Sequence, residues 1–295
     1  GGYLHAAIKM INEFLEKDEL IVYTEGRNYS REDAVANGKG MFKNNRICVL
    51  INEWSASASE IFAGAIQDQD RGIIIGRRSF GKGLVQQQVP IFDGSEVRIT
   101  IAHYYTPSGR SIQKPYEGGN FEEYENDIMN RYEHGEFFSQ DSIAVGDSIM
   151  YFTKNGRVVY GGGGITPDYF VAQDTTGHTA YYTEVQNKGY TYSFAFQYSD
   201  KNRKTLKKFK DYNELCAYLD EENINLQFYK FVEAKGIDPK IKGQAEAANV
   251  INNILKAYIC RNILGESAFY PILNSEDETI IKALEVMAVP EPINN

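Results

Sequence analysis

Ile47-Cys48-Val49-Leu50-Ile51-Asn52-Glu53-Trp54-Ser55-Ala56-Ser57-Ala58-Ser59-Glu60 is the stretch that decides the fold. Its first five residues are apolar on both faces, the pattern of a strand buried in a covered parallel sheet. From Ser57 to Gln67 the pairs Ile61/Ala65 and Phe62/Ile66 recur at helical spacing, and Ser57-x-x-Glu60 opens that helix with a capping-box pattern. A second apolar run, Ile73-Ile74-Ile75, follows after a short join. Strand, helix and strand with short connections predict a right-handed crossover in an α/β layer structure. Ser57 then falls at the carboxyl end of a strand, where such folds build their sites.

Working outward, Tyr3 to Glu16 carries Leu4, Ile8, Ile11, Phe14 and Leu15 at helical spacing, and Leu20 to Tyr23 reads as a short strand. Asn28 to Asn45 is polar and rich in Gly and Asn, which predicts a surface loop. Beyond Lys82 the period changes to two: Val97, Ile99 and Ile101 alternate with Arg98 and Thr100 behind an Asp93-Gly94 turn. Asn155-Gly156 marks a second hairpin between Ile149–Phe152 and Val158–Tyr160. The acidic, aromatic stretch Tyr116 to Phe138 reads as a loop with a short helix of its own. Gly161 to Gly164 with Pro167 mark a bend at the edge of the core. From about Ala180 the pattern is mostly helical, over Phe194–Tyr198, Tyr212–Leu219, Ala245–Ile263 and Glu278–Val286. The expected organisation is an α/β core over residues 1–170 and a mostly helical extension over 171–295.

The chain has 295 residues, 42% hydrophobic and 24% charged, enough apolar material for a real core. Its net charge of −9 argues against a nucleic-acid partner, because phosphate contacts need a basic surface. The basic run Lys201 to Lys210 reads as a solvated helical face. Cys48, Cys216 and Cys260 stand far apart with no Cys-x-x-Cys pair, so no metal or redox motif is expected; Cys48 reads as a small buried hydrophobe. No apolar run approaches the ~20 residues that span a bilayer. The chain opens Gly1-Gly2-Tyr3-Leu4 and runs directly into a helical pattern, which reads as a piece of a longer protein whose targeting segment lies elsewhere.

Chemistry concentrates at two places. Ser57 reads first as a capping residue on its pattern; the functional reading, compatible with it, is a serine nucleophile at a helix N-terminus, where free amides and the helix dipole could stabilise an oxyanion. A serine hydroxyl needs an adjacent base. His5, His103, His134 and His178 sit in no motif-like setting and read as ordinary surface or strand residues. The other base is Lys82, in the tight turn Ser79-Phe80-Gly81-Lys82-Gly83, and a lysine serves as a base near neutral pH when burial lowers its pKa from about 10.4. An exposed Gly-Lys-Gly turn is the plainer alternative. Gly76 to Lys82 also matches the phosphate-binding Gly-x4-Gly-Lys pattern; however, Gly83 replaces the Ser or Thr that binds magnesium, and a strand follows instead of a helix.

These segments together resemble the carboxyl-terminal processing peptidases, a serine/lysine peptidase family. The resemblance rests on Asn52 to Ile61, Ala63 to Asp68, Phe80 to Gln86, Tyr105 to Gln113 and Gly164 to Asp168, in that order. It implies Ser57 as nucleophile, Lys82 as general base, Gln86 as the amide orienting the lysine, and an oxyanion hole from the Ala58 and Gly2 amides. It also implies a ClpP/crotonase-like spiral core of mixed sheets and helices, followed by the mostly helical region. No metal or other cofactor is implied. The expected partners are protein or peptide substrates bound through their C-terminal regions, in the cell envelope or periplasm. An upstream peptide-binding PDZ domain is expected and is not in this sequence; an oligomer is compatible with the reading. Two alternatives remain at this stage, a non-catalytic scaffold on the same fold and a P-loop nucleotide binder.

Overall fold

A computed structural model describes residues 1–115, 121–143, 149–238 and 241–289. The chain divides into two compact units, Gly1–Gln173 with the returning segment from Lys282, and Asp174–Ile281.

The first unit opens with α1 (Leu4–Asn12), β1 (Leu20–Gly26), β2 (Tyr29–Val35) and β3 (Cys48–Ile51), and continues with α2 (Ala58–Asp68) and β4 (Ile73–Gly76). Next come β5 (Leu84–Pro90), β6 (Glu96–Tyr105), α3 (Phe121–Glu133), β7 (Met150–Phe152), β8 (Val158–Tyr160) and β9 (Tyr169–Phe170). The strands form an antiparallel sheet in the order β2-β1-β6-β5, a parallel sheet in the order β3-β4-β9 and the β7-β8 hairpin. β3 and β4 pair in parallel from Cys48↔Ile73 to Ile51↔Gly76, with α2 as the crossover between them. Both hairpin expectations hold, with Gly94 and Gly156 at positive φ in the turns.

The first core gathers Ile11, Leu15, Ile21, Ile61, Ile66, Ile74 and Ile165, so α1 and α2 are packed against strands from both larger sheets. α2 is buried nearly all round, including Glu60, Gln67 and Asp68. β4, not β3, is the covered strand: β3 lies at the sheet edge and leaves Leu50 42% exposed. A continuous apolar run therefore does not distinguish edge from centre here. The segment expected as a loop over Asn28 to Asn45 begins with a strand, β2, paired antiparallel with β1 from Leu20↔Val35 to Gly26↔Tyr29. Its polar residues fit, because β2 is an exposed edge strand held by backbone pairing. Within Tyr116 to Phe138, residues 116–120 lie outside the described residues; the rest forms α3 and a buried turn through Glu136 and Phe137.

The second unit contains α4 (Ala180–Asn187), α5 (Tyr190–Lys201), α6 (Arg203–Leu206), α7 (Tyr212–Glu221), α8 (Ile224–Ala234), α9 (Ala248–Leu264) and α10 (Glu266–Asn274). Its core collects Phe194, Leu215, Phe228, Ile251 and Leu255 among others. The last helix, α11 (Glu278–Ala288), belongs from Lys282 onward to the first unit, where the Met287 and Val286 carbonyls accept hydrogen bonds from Arg46 at 2.7 and 3.2 Å. The basic run is mostly exposed as expected, although it is helical only at Lys201, the end of α5, and in the short α6, and Leu206 is buried.

Candidate active site

Two tight segments meet at the carboxyl ends of β3 and β4. The first is the turn Asn52 to Ser57. Asn52 Oδ1 accepts from the Trp54 amide at 3.0 Å, and Ser55 Oγ accepts from the Asn52 amide at 3.1 Å. Ser57 follows with φ 58° and ψ −119°, a conformation that side-chain-bearing residues rarely adopt and that costs on the order of 1–3 kcal/mol. The second segment is Arg77 to Gly83, which carries Lys82 between β4 and β5.

Glu60 joins them. Its carboxylate is fully buried and accepts hydrogen bonds from the Ser57 amide at 2.8 Å, the Ser79 hydroxyl at 2.5 Å, the Gly81 amide at 2.6 Å and the Lys82 amide at 2.8 Å. Burial pushes the Glu60 carboxyl above its ordinary range, and these donors offset only part of that rise. All of its partners are donors. Ser79 Oγ accepts from the Ile165 amide at 2.7 Å and turns its proton to Glu60. A further bond, from the Phe80 amide to the Ser55 carbonyl at 2.9 Å, ties the two segments directly.

The lysine segment is gripped elsewhere as well. The Gly83 amide donates to Gln113 Oε1 at 2.9 Å and the Lys114 amide to the Gly81 carbonyl at 2.9 Å, so Tyr105 to Gln113 and its neighbour form part of the frame. Gly164, at φ 87°, lets the backbone pass Ser79; a Cβ there would stand 2.7 Å from the Ser79 carbonyl oxygen. Asp168 fixes the return to β4, accepting from the Ile74 amide at 2.7 Å, Gln67 Nε2 at 2.9 Å and Arg157 at 2.6 Å.

The expected site residues separate into those this frame brings together and those it does not. Ser57 and Lys82 are joined through backbone, both amides ending on Glu60 Oε2. The capping box expected of the Ser57–Glu60 pair is present, and the Glu60 amide also goes to the Ser57 carbonyl at 2.9 Å. Ala58 is buried at the first position of α2, with its amide given to no acceptor among the described residues. A Cβ built on Gly1 would stand 3.5 Å from Ser57 Cβ, while nothing lies within 4 Å of that position on Gly2. The Gly1-Gly2 segment thus runs beside the serine turn. Lys82 and Gln86 are exposed, and among the described residues no hydrogen bond joins them to each other or to the Ser57 hydroxyl. The burial expected around the Lys82 amine is not found: Lys82 is exposed between the buried Gly81 and Gly83.

Two further points bear on the alternatives. After Lys82 the chain enters β5 and not a helix, so no helix N-terminus follows Gly76 to Lys82 to cradle phosphate. Among the described residues no cluster of His, Cys, Asp or Glu is arranged to hold a metal, and no helix is long and apolar enough to cross a membrane. Sequence reasoning saw Glu60 as a cap only and missed Ser79. The Ser-x-x-Glu spacing was the available signal for the first; nothing local marks the second.

Residues 1–119 match the model of peptidase family S41, and residues 181–265 match a family of unknown function, DUF8443. The carboxy-terminal-processing protease of Bartonella bacilliformis is 50% identical over 116 residues, 38% of this chain and 26% of that protein. The chloroplastic C-terminal processing peptidase of Tetradesmus obliquus is 38% identical over 114 residues, 39% of this chain and 24% of its own length. A solved photosystem II D1 C-terminal processing protease is 26% identical with a TM-score of 0.40, over 58% of this chain and 32% of its own. The chain therefore spans about a quarter of the length of the curated relatives it matches. The first unit is a mixed α/β unit, and its residues 1–119 are the segment similar to peptidase family S41. The curated proteins it is similar to include carboxyl-terminal-processing proteases.

Proposed function

We propose that this chain is the catalytic part of a serine endopeptidase that cleaves proteins near their C-termini through a Ser57/Lys82 dyad. The observation that carries the reading is the Glu60 carboxylate, which holds the Ser57 and Lys82 backbones on one oxygen inside a region matching peptidase family S41. In the proposed reaction the neutral Lys82 amine takes the proton from Ser57 Oγ, and Oγ attacks the scissile carbonyl carbon. The Ala58 amide, with an amide of the Gly1-Gly2 segment, receives the oxyanion. The leaving amine takes its proton from Lys82, and Lys82 then activates the water that releases the acyl group from Ser57.

The exposed position of Lys82 adds a requirement: a bound peptide lying along β5 must cover the amine, since burial is what favours its neutral form. Gln86, four residues further on, is the group that orients the covered amine. The same reading includes an upstream PDZ domain delivering substrate C-termini, and a location in the cell envelope.

The exposure of Lys82 also favours one second reading, a binding scaffold on the same fold without turnover. A fluorophosphonate probe separates the two when applied to the full-length protein and its Ser57→Ala and Lys82→Ala variants. Labelling of Ser57 that vanishes in Lys82→Ala supports the dyad. Labelling that survives in Lys82→Ala refutes Lys82 as the base, and no labelling of the full-length protein leaves the scaffold.

A further inference from the structure

The lysine segment is held from a second side by residues that the reaction scheme does not use. Arg131, on α3, is 5% exposed. It donates through Nη1 to the Ser79 carbonyl at 3.0 Å and through Nη2 to the Arg78 carbonyl at 2.7 Å. Its Nε reaches Glu136 Oε1 at 2.9 Å, and Glu136 takes a two-pronged ion pair from Arg78 at 2.8 and 2.6 Å. Arg78 Nη1 in turn donates to the Gly163 carbonyl at 2.7 Å. At the other end of α3, Lys114 Nζ donates to the Tyr124 carbonyl and Asp127 Oδ2, each at 3.0 Å, and stands 4.1 Å from the Phe80 ring centre. Each of these bonds ends on residues 78–80 or on residues touching them. Burying so many charges is a poor way to gain stability, because apolar side chains of equal volume do as well or better. What the network achieves is fixed geometry.

We propose that α3 and the Glu136 turn form a clamp that sets the position of Lys82 relative to Ser57, with Arg131 as its positioning residue; the proposal rests on the dyad reading. The division of labour follows backbone polarity. Glu60 takes the donors of the segment, the Ser79 hydroxyl and the Gly81 and Lys82 amides, while Arg131 supplies donors to its carbonyls at 78 and 79. Arg131 touches neither reacting atom. It acts through two peptide units, and the planar fork of its guanidinium is what lets one side chain serve both carbonyls and Glu136. A lysine retains the charge but not the fork. A misplacement of ~1 Å at a catalytic group is worth on the order of 100-fold in rate.

The test uses Arg131→Lys, with Asp127→Asn at the partly exposed rim of the clamp as a second variant should the first not fold. Two readouts are taken: hydrogen exchange at the Gly81 and Lys82 amides, and saturation kinetics of fluorophosphonate labelling. The clamp predicts at least tenfold faster exchange at both amides. It also predicts a labelling rate constant reduced about tenfold, with half-saturation within twofold of the parent. Unchanged exchange overturns the clamp whatever the labelling does, and faster exchange with an unaltered rate constant overturns its role in positioning. Absence of labelling in the parent protein refutes the dyad reading instead, while exchange still decides whether Arg131 holds the segment.

The second unit supplies an independent observation. Cys216 on α7 and Cys260 on α9 bring their Sγ atoms to 3.8 Å; Cys48 is the remaining free cysteine. We infer that this pair is a disulfide site in an oxidising compartment. With glutathione disulfide as oxidant, the partly exposed Cys216 thiolate attacks and releases one glutathione thiol. The buried Cys260 then attacks the Cys216 sulfur and releases the second, so two protein thiols are oxidised and one disulfide is reduced. Thiol counting under denaturing conditions after incubation should fall from three to one, with peptide mapping placing the bond between 216 and 260. Three remaining thiols, or a bond involving Cys48, overturns the inference.

Discussion

Replacing Glu60 with glutamine tests whether one buried anion holds the site together. The substitution keeps size and removes charge. One amide edge must then present its NH2 to groups that are themselves donors. Turned toward Oε2, it faces the Ser57 and Lys82 amides; turned toward Oε1, it faces the Gly81 amide and the Ser79 hydroxyl. The second orientation is the better one, since the hydroxyl can rotate, yet it still leaves the Gly81 amide buried and unpaired. Such an orphaned donor costs about 1–3 kcal/mol, and the two bonds kept by the neutral oxygen each lose part of their charge-assisted strength, on the order of 1 kcal/mol apiece. Release from carboxylate desolvation offsets a fraction of this. The expected net loss is about 2–4 kcal/mol. Urea unfolding near neutral pH, followed by near-UV absorption of the tyrosines, measures it; fluorophosphonate labelling at low urea reads the site itself and should slow by at least tenfold. A loss below about 0.5 kcal/mol would refute the argument, because it would mean that a neutral group satisfies this pocket and that Glu60 is protonated there.

Ser57→Gly, which removes the Cβ from a backbone at φ 58°, is expected to raise stability by about 1 kcal/mol in the same unfolding assay while abolishing labelling; a fall in stability would show that the turn is unstrained. Arg110→Met breaks the buried ion pair in which Arg110 and Asp68 meet at 2.7 Å, and should cost about 3–5 kcal/mol by leaving a carboxylate buried without its cation; a loss near zero would mean that water reaches Asp68. Glu136 supplies the pH dependence. Burial works to raise its pKa, but Arg78 and Arg131 outweigh it, and the group titrates below its ordinary 4.5. A depressed folded-state value stabilises above about pH 4.5, and the contribution is lost as pH falls from there through the folded-state pKa. Stability measured from pH 6 down to 3 should therefore drop less steeply in Glu136→Gln than in the parent; equal slopes would refute the assignment.

The parts of this fold that could be read from sequence are those governed by local periodicity. The runs Ile47 to Ile51 and Ile73 to Ile75, with the helical face of Ile61 and Ile66 between them, carry the crossover on their own. β2 carries no such signal: its Ser30, Arg31, Glu32 and Asp33 face solvent, and it is a strand because β1 offers a backbone edge. α8 and α10 were missed for different reasons. α8 is crowded with aromatic residues, and Pro271 inside α10 reads as a break. At the site, Ser57 and Lys82 were legible as motifs, and Glu60 only as a cap. Its partners at 79, 81 and 82 lie some twenty residues away, and spacing says nothing of which buried carboxylate will meet which turn. The salt-linked Arg78, Arg131 and Glu136 are separated by up to 58 residues and were invisible for the same reason.

Segment 77–83 explains why charged residues are concentrated in this interior. It is irregular backbone at depth: Arg78, Ser79, Gly81 and Gly83 are buried, so their peptide groups have no water and no sheet ladder to satisfy them. Apolar packing would cover such a segment without fixing its height or twist. A carboxylate on one side and a guanidinium on the other satisfy donors and acceptors separately, and each does so with bonds whose strength depends on direction. The exposed Lys82 side chain leaves this frame, so the structure fixes its backbone through Glu60 while the proposed base itself is free to meet a substrate. Precision is thereby placed in the peptide units on either side of Lys82, and a substitution that spares both proposed catalytic side chains, such as one at Arg131, can still remove activity.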